Sequence, residues 1–178
     1  MAEELYCLPA APATVERWLD ELSQLMKRWL QHPAVQLVRF EQGKSRTPDA
    51  RELVERGTYS LAGNRGVDVT MAQPMLELLA MPGMDEEPSL VYLRDHRSPW
   101  QACFSTAPGR TAADSLLVVC GAIALALATG GVLLNDQNPA PFDSGELSPP
   151  EIWIEYLTRT LGAGPAASLD ELGDRYQI

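Results

Sequence analysis

Cysteine is too scarce and too scattered in this chain to build anything. Cys7, Cys103 and Cys120 are odd in number and widely spaced, so they form neither a disulfide framework nor a zinc-binding pair. Cys103 and Cys120 lie within apolar runs and are expected to be inert core thiols, as in a reducing compartment. Histidine is limited to His32 and His96, which leaves too few ligands for a zinc centre. Lysine is limited to Lys27 and Lys44, the other bases being arginine, a usage that fits a GC-rich bacterial genome. Neither a G-x-G-x-x-G nor a P-loop pattern occurs. Gly130-Gly131 follows a helical run and precedes an apolar one, the reverse of a phosphate-binding order. No cofactor is therefore expected. The first residues, MAEELYCLPAAP, carry acids where a signal peptide carries bases, so a cytoplasmic protein is expected. With no internal repeat and no interdomain linker, residues 1–178 read as a single globular domain.

What the chain does have is one long apolar stretch. From Ser115 to Leu134 no residue is charged. Such a run is long enough to span a bilayer, but its punctuation argues for a buried helix followed by a buried strand. Thr111 with Asp114 three residues on is the pattern of a capping box, which fixes a helix start in water. Gly130-Gly131 breaks the helix after about five turns, and Val132-Leu133-Leu134 resumes as a strand. The flanks lack the Lys/Arg excess that sets a membrane orientation, so no membrane association is expected.

The remaining elements follow from periodicity. Leu5–Leu8 reads as a short strand bounded by Pro9 and Pro12, and Val15–Leu30 as a core helix capped by Thr14 and stopped by His32-Pro33. Val35–Phe40 reads as a strand, 41–46 as a polar loop, and Thr47-Pro48 as the start of a second helix closed by Gly57. Thr58–Leu61 and Val67–Met71 form a hairpin around a glycine-rich turn. Residues 74–84 are an apolar segment of either helical or irregular form, and Leu90–Leu93 and Trp100–Phe104 are two further strands. Ser148-Pro149-Pro150-Glu151 looks like a capped helix start, opening a helix with Ile152, Trp153, Tyr156, Leu157 and Leu161 on one face. Ser168 to Glu171 opens a last short turn. The sum is an α+β fold, with a mixed or largely antiparallel sheet packed by a central buried helix at about 111–129 and flanked by amphipathic helices.

Charge is unevenly placed within a net of −10. After Thr111, the acids Asp114, Asp136, Asp143, Glu146, Glu151, Glu155, Asp170, Glu171 and Asp174 face only Arg159 and Arg175. Nucleic acid needs its phosphates neutralised by bases, so no nucleic-acid partner is expected. A basic protein partner suits such a surface, as does simple solubility. Catalytic candidates are thin. Asp95-His96 is the best acid/base pair, but it sits between two strands where a solvated turn is the ordinary outcome, and Ser105 or Cys103 as nucleophile has no local activating group. Asp136, Asn138, Asp143 and Glu146 offer oxygen ligands without calcium-loop spacing, so no metal is expected. A non-enzymatic role is the reading these absences leave.

The run Leu127–Asp136, a helix ending in A-T-G-G and then a short apolar strand closing on Asp, resembles small bacterial α+β proteins, among them immunity proteins of polymorphic and type VI secreted toxins. The segment from Trp18 to Gly66, with Trp29, Gly43-Lys44-Ser45 and the glycine-rich hairpin, is loosely similar to the same group. The resemblance implies a cytoplasmic protein that binds a cognate toxin and occludes its active site. If the toxin is basic, as a nuclease is, the resemblance points to exposed acids as the toxin-binding residues: Asp136, Asp143, Glu146, Glu151 and Glu155, then Asp85, Glu86 and Glu87. The alternatives are an adaptor or chaperone for a secreted effector, and a small enzyme using Asp95-His96.

Overall fold

A computed structural model of the chain describes residues 4–11, 13–33, 37–41, 44–46, 58–61, 67–71, 102–106, 111–135 and 145–176. The described residues form eight strands: β1 (Glu4–Leu8), β2 (Leu37–Glu41), β3 (Lys44–Arg46), β4 (Thr58–Leu61), β5 (Val67–Met71), β6 (Ala102–Thr106), β7 (Val132–Asn135) and β8 (Leu147–Ser148). They also form four helices: α1 (Val15–Met26), α2 (Ala112–Thr129), α3 (Pro150–Leu161) and α4 (Leu169–Arg175).

The ends of α2 are fixed by the residues that the sequence puts there. The Thr111 hydroxyl accepts from the backbone N–H of Asp114 at 3.2 Å, and the Asp114 carboxylate accepts from the Thr111 N–H at 2.8 Å. Each half of this capping box satisfies a donor that the first helical turn leaves orphaned. At the other end Gly130 takes a left-handed backbone with φ of 67°, and the Gly131 N–H closes back on the Ala126 carbonyl at 2.9 Å. Between these ends almost every side chain is buried, on all sides of the helix. That requires neighbours all round. The strands β1, β5, β6 and β7 lie against one side, and α1, α3 and α4 pack against the others. Leu116, Leu117, Val118, Val119, Ile123 and Leu125 are fully enclosed. Each such side chain stabilises the fold by about 1.5–3 kcal/mol relative to exposure. This is also the one helix among the described residues long and apolar enough to cross a membrane. Here that apolar surface is taken up by protein.

The sheet runs β3-β2-β4-β5-β6-β1-β7-β8, and every neighbouring pair is antiparallel. The fold is α+β with the central helix packed on the sheet. The first strand, β1, sits between β6 and β7, with Leu5 opposite Phe104 and Asn135, and Cys7 opposite Ala102 and Leu133. Side chains alternate across a strand. Leu5, Cys7, Ala102, Phe104 and Leu133 join the core around α2. Tyr6, Leu8 and Cys103 therefore fall on the opposite face, where Leu8 packs with Val132 and Leu147.

Helix α1 crosses α2 through one specific contact. The Trp18 indole N–H donates to the carbonyl of Gly121 at 3.0 Å, in the buried core. A helical carbonyl has a second lone pair free for such a donor. The Trp18 ring also meets Phe104 of β6 edge-on, with ring centroids 5.7 Å apart. One side chain thus touches helix and sheet together.

Several elements differ from those read in the sequence. Helix α1 stops at Met26 rather than Leu30. Arg28 and Trp29 make shorter i to i−3 bonds to Leu25 and Met26, and the chain then commits its backbone elsewhere. The Trp29 carbonyl accepts from Ala166 N–H at 2.7 Å, and Gln31 N–H donates to the Ala166 carbonyl at 3.0 Å. Leu30 still donates its N–H to the Met26 carbonyl at 2.8 Å, and both Trp29 and Leu30 stay buried beyond the helix end. The stretch 44–46, read as loop, is strand β3, paired with Arg39–Glu41. An edge strand needs only backbone pairing and favours polar side chains, so no apolar alternation marks it. Strands β4 and β5 pair antiparallel, as the expected hairpin requires, with Thr58 opposite Thr70. The last expected strand of the middle region lies at Ala102–Thr106, two residues beyond the end read for it. The helix expected at 47–57, the hairpin tip, the apolar segment 74–84 and the strand at 90–93 lie outside the described residues.

Gly131 marks the tightest approach of α2's exit to β1. A Cβ added there would lie 2.3 Å from the Leu8 carbonyl oxygen and 3.0 Å from Pro9 Cα, both backbone atoms that cannot swing aside. A Cβ on the neighbouring Gly130 would meet nothing within 4 Å. Gly131→Ala is expected to cost about 2 kcal/mol or more through forced displacement, and Gly130→Ala about 1 kcal/mol through backbone conformation alone. Parallel urea denaturation of the two variants tests the ranking; equal losses would refute it.

Candidate functional site

Of the acids proposed for binding, Glu146, Glu151 and Glu155 are described, the first just before β8 and the other two on α3. Gly145, with φ of 84°, donates its N–H to the Asn135 carbonyl at 2.7 Å, and the next residue, Glu146, accepts from Asn135 N–H at 3.5 Å. These bonds hold the returning chain against the end of β7, so Glu146 projects as an exposed residue beside the sheet edge. The chain then forms β8 and turns into α3.

The start of α3 differs from the expected capping box. Pro149 occupies the cap position and offers no side-chain hydrogen bond. Ser148 is buried, and its hydroxyl accepts instead from the Trp153 indole N–H at 2.6 Å. A buried indole N–H needs an acceptor, and that need outranks capping, because the helix N–H groups at the surface can turn to water. Pro150 at the first helical position tolerates the missing cap, having no N–H to satisfy.

Pro150, Trp153, Leu157 and Leu161 form the buried stripe of α3. Ile152, expected with them, instead stands 42% exposed and is the one large hydrophobic side chain so exposed among the described residues. It follows Glu151 and precedes Glu155, both exposed. Glu151 and Glu155 lie one turn apart on the outward side. Glu155 pairs with Arg159 at 3.8 Å, but both side chains are 71% exposed, so the pair is well screened and contributes little. The outer face of α3 thus presents Glu151, Ile152 and Glu155 together. Asp136, Asp143, Asp85, Glu86 and Glu87 lie outside the described residues.

Helix α4 adds acids that sequence reasoning did not select. Asp170, Glu171 and Asp174 are exposed on a helix that packs against α2 and α3. The Ser168-to-Glu171 signature was the available signal, since the seven-residue helix it opens carries three carboxylates. Glu171 is committed internally: its carboxylate accepts from Ala167 N–H at 2.8 Å and from Arg175 at 2.7 Å, while Arg175 also donates to the Gly164 carbonyl at 2.7 Å. The Ala167 N–H first, and the Arg175 guanidinium second, hold this carboxyl below its usual range.

The catalytic candidates do not assemble among the described residues. Asp95 and His96 lie outside them, and so does the Ser105 side chain. His32 is exposed at the end of α1's turn. Among the described residues no three His, Cys, Asp or Glu side chains gather as a metal site. Cys7, rather than Cys103, is the second buried thiol beside Cys120; Cys103 is half-buried on the other sheet face. Burial drives the Cys7 thiol far up, against a smaller opposing effect of its hydrogen bond with Thr129, and burial pushes the Cys120 thiol up to about 12. Neither forms the thiolate that nucleophilic chemistry needs near neutral pH. Compared with family models, with curated proteins and with solved structures, the chain finds no match.

Two outcomes follow. Because the folded pKa of Glu171 is lowered, its charge stabilises the fold above the unfolded carboxyl value of about 4.3. That contribution is lost as pH falls through the lower folded value. Thermal melts of the wild type and Glu171→Gln between pH 7 and pH 2.5 are expected to show a gap that closes only at the acidic end; a gap constant across the range would contradict this. Separately, Cys7 and Cys120 are expected to resist an aromatic disulfide reagent in the folded protein and to label fully in denaturant. The count of labelled thiols by mass spectrometry decides.

Proposed function

We propose that the protein is an immunity protein, acting in the cytoplasm, that binds a cognate bacterial toxin and blocks its active site. The observation that carries this reading is the outer face of α3, where Glu151 and Glu155 flank the exposed Ile152. Carboxylates on a rigid helix can occupy sites that a basic toxin, such as a nuclease, reserves for phosphates. An apolar side chain between them excludes water from the contact, which strengthens charge pairing at its rim. The excess of acid over base after Thr111 supports the same partner chemistry by steering encounter. Exposed Glu146 precedes this helix, and Asp136, Asp143, Asp85, Glu86 and Glu87 are the further acids that the sequence offers to such a partner.

The direct test is co-expression with the toxin domain encoded beside this protein's own reading frame. An immunity protein restores growth. An adaptor or chaperone instead raises the level or export of the effector without relieving its toxicity, and that result would replace the reading. The surface has its own test. The double variant Glu151→Lys/Glu155→Lys is expected to weaken toxin binding about ten- to a hundredfold, chiefly through slower association and with a flatter salt dependence. Asp20→Lys, an exposed reversal on α1, serves as the control and should leave binding near the wild-type value. Surface plasmon resonance at two salt concentrations reads both; equal affinity for the double variant and the wild type would remove α3 from the interface.

A further inference from the structure

We draw no further inference here: the strongest candidate, the sheet face turned away from the central helix and carrying Tyr6, Leu8, Cys103, Val132, Leu134 and Leu147, has Leu8 and Leu134 each only 1% exposed, but nothing among the described residues shows what covers it.

Discussion

A helix that is apolar around its whole circumference cannot rest on a surface. It has to be enclosed, and for α2 the enclosure is the architecture: strands on one side, three helices on the others. Each surrounding element contributes an apolar stripe that would be costly to leave in water, and each stripe is matched to α2. Trp18 and Leu22 come from α1, Trp153 and Leu157 from α3, and Leu172 from α4. The small residues of α2 permit the close approach, and Gly121 shows how. Its carbonyl is open enough to receive the Trp18 indole N–H at 3.0 Å. At the helix start, Gly173 of α4 lies so close to Ala113 that a Cβ there would come within 2.6 Å of the Ala113 nitrogen. Enclosure of this kind couples all the elements to one another, because displacing any of them exposes part of the same helix.

Much of this order is written locally. The limits of α2 were legible because Thr111, Asp114 and Gly130 act through bonds within one or two turns of themselves. The pairing of β4 and β5 was legible from the glycine-rich turn sequence between two short strand-like runs. The misreadings share a different cause: a partner elsewhere in the fold, remote for Trp29 and near for Ser148 and β3, changed what a local signal meant. Trp29 and Leu30 continue a helical apolar pattern, yet Ala166, far along the chain, takes the backbone bonds that would have extended the helix. Ser148 has the residue type of a helix cap, yet Trp153 packs so that its indole claims the hydroxyl. Strand β3 has no apolar signature, because its place in the sheet rests on backbone bonds to β2.

The acidic surface was legible in outline only. Composition shows where carboxylates are dense, and helical spacing shows that Glu151 and Glu155 share a side. Composition cannot separate an acid free to meet a partner from one already engaged. Glu171 illustrates the difference, since its two oxygens are occupied by Ala167 and Arg175 and serve to hold the 162–168 connection in place. Nor does spacing alone settle which apolar residue of α3 faces outward. Ile152 belongs to the apolar face by periodicity, but the stripe is narrowed to Trp153, Leu157 and Leu161, and the isoleucine is left beside the glutamates.

The place of β1 has a consequence for how the chain acquires its shape. This strand lies between β6 and β7, so its two pairing partners are residues 102–106 and 132–135. Neither exists when β1 emerges during synthesis, and roughly a hundred residues must follow before its first ladder can close. Pairings so remote in sequence close slowly, because the loop entropy is lost before any contact offsets it. Leu5–Leu8 therefore emerges well before either strand that flanks it in the sheet. An interior position of the sheet is completed late, by a strand made before both of its partners.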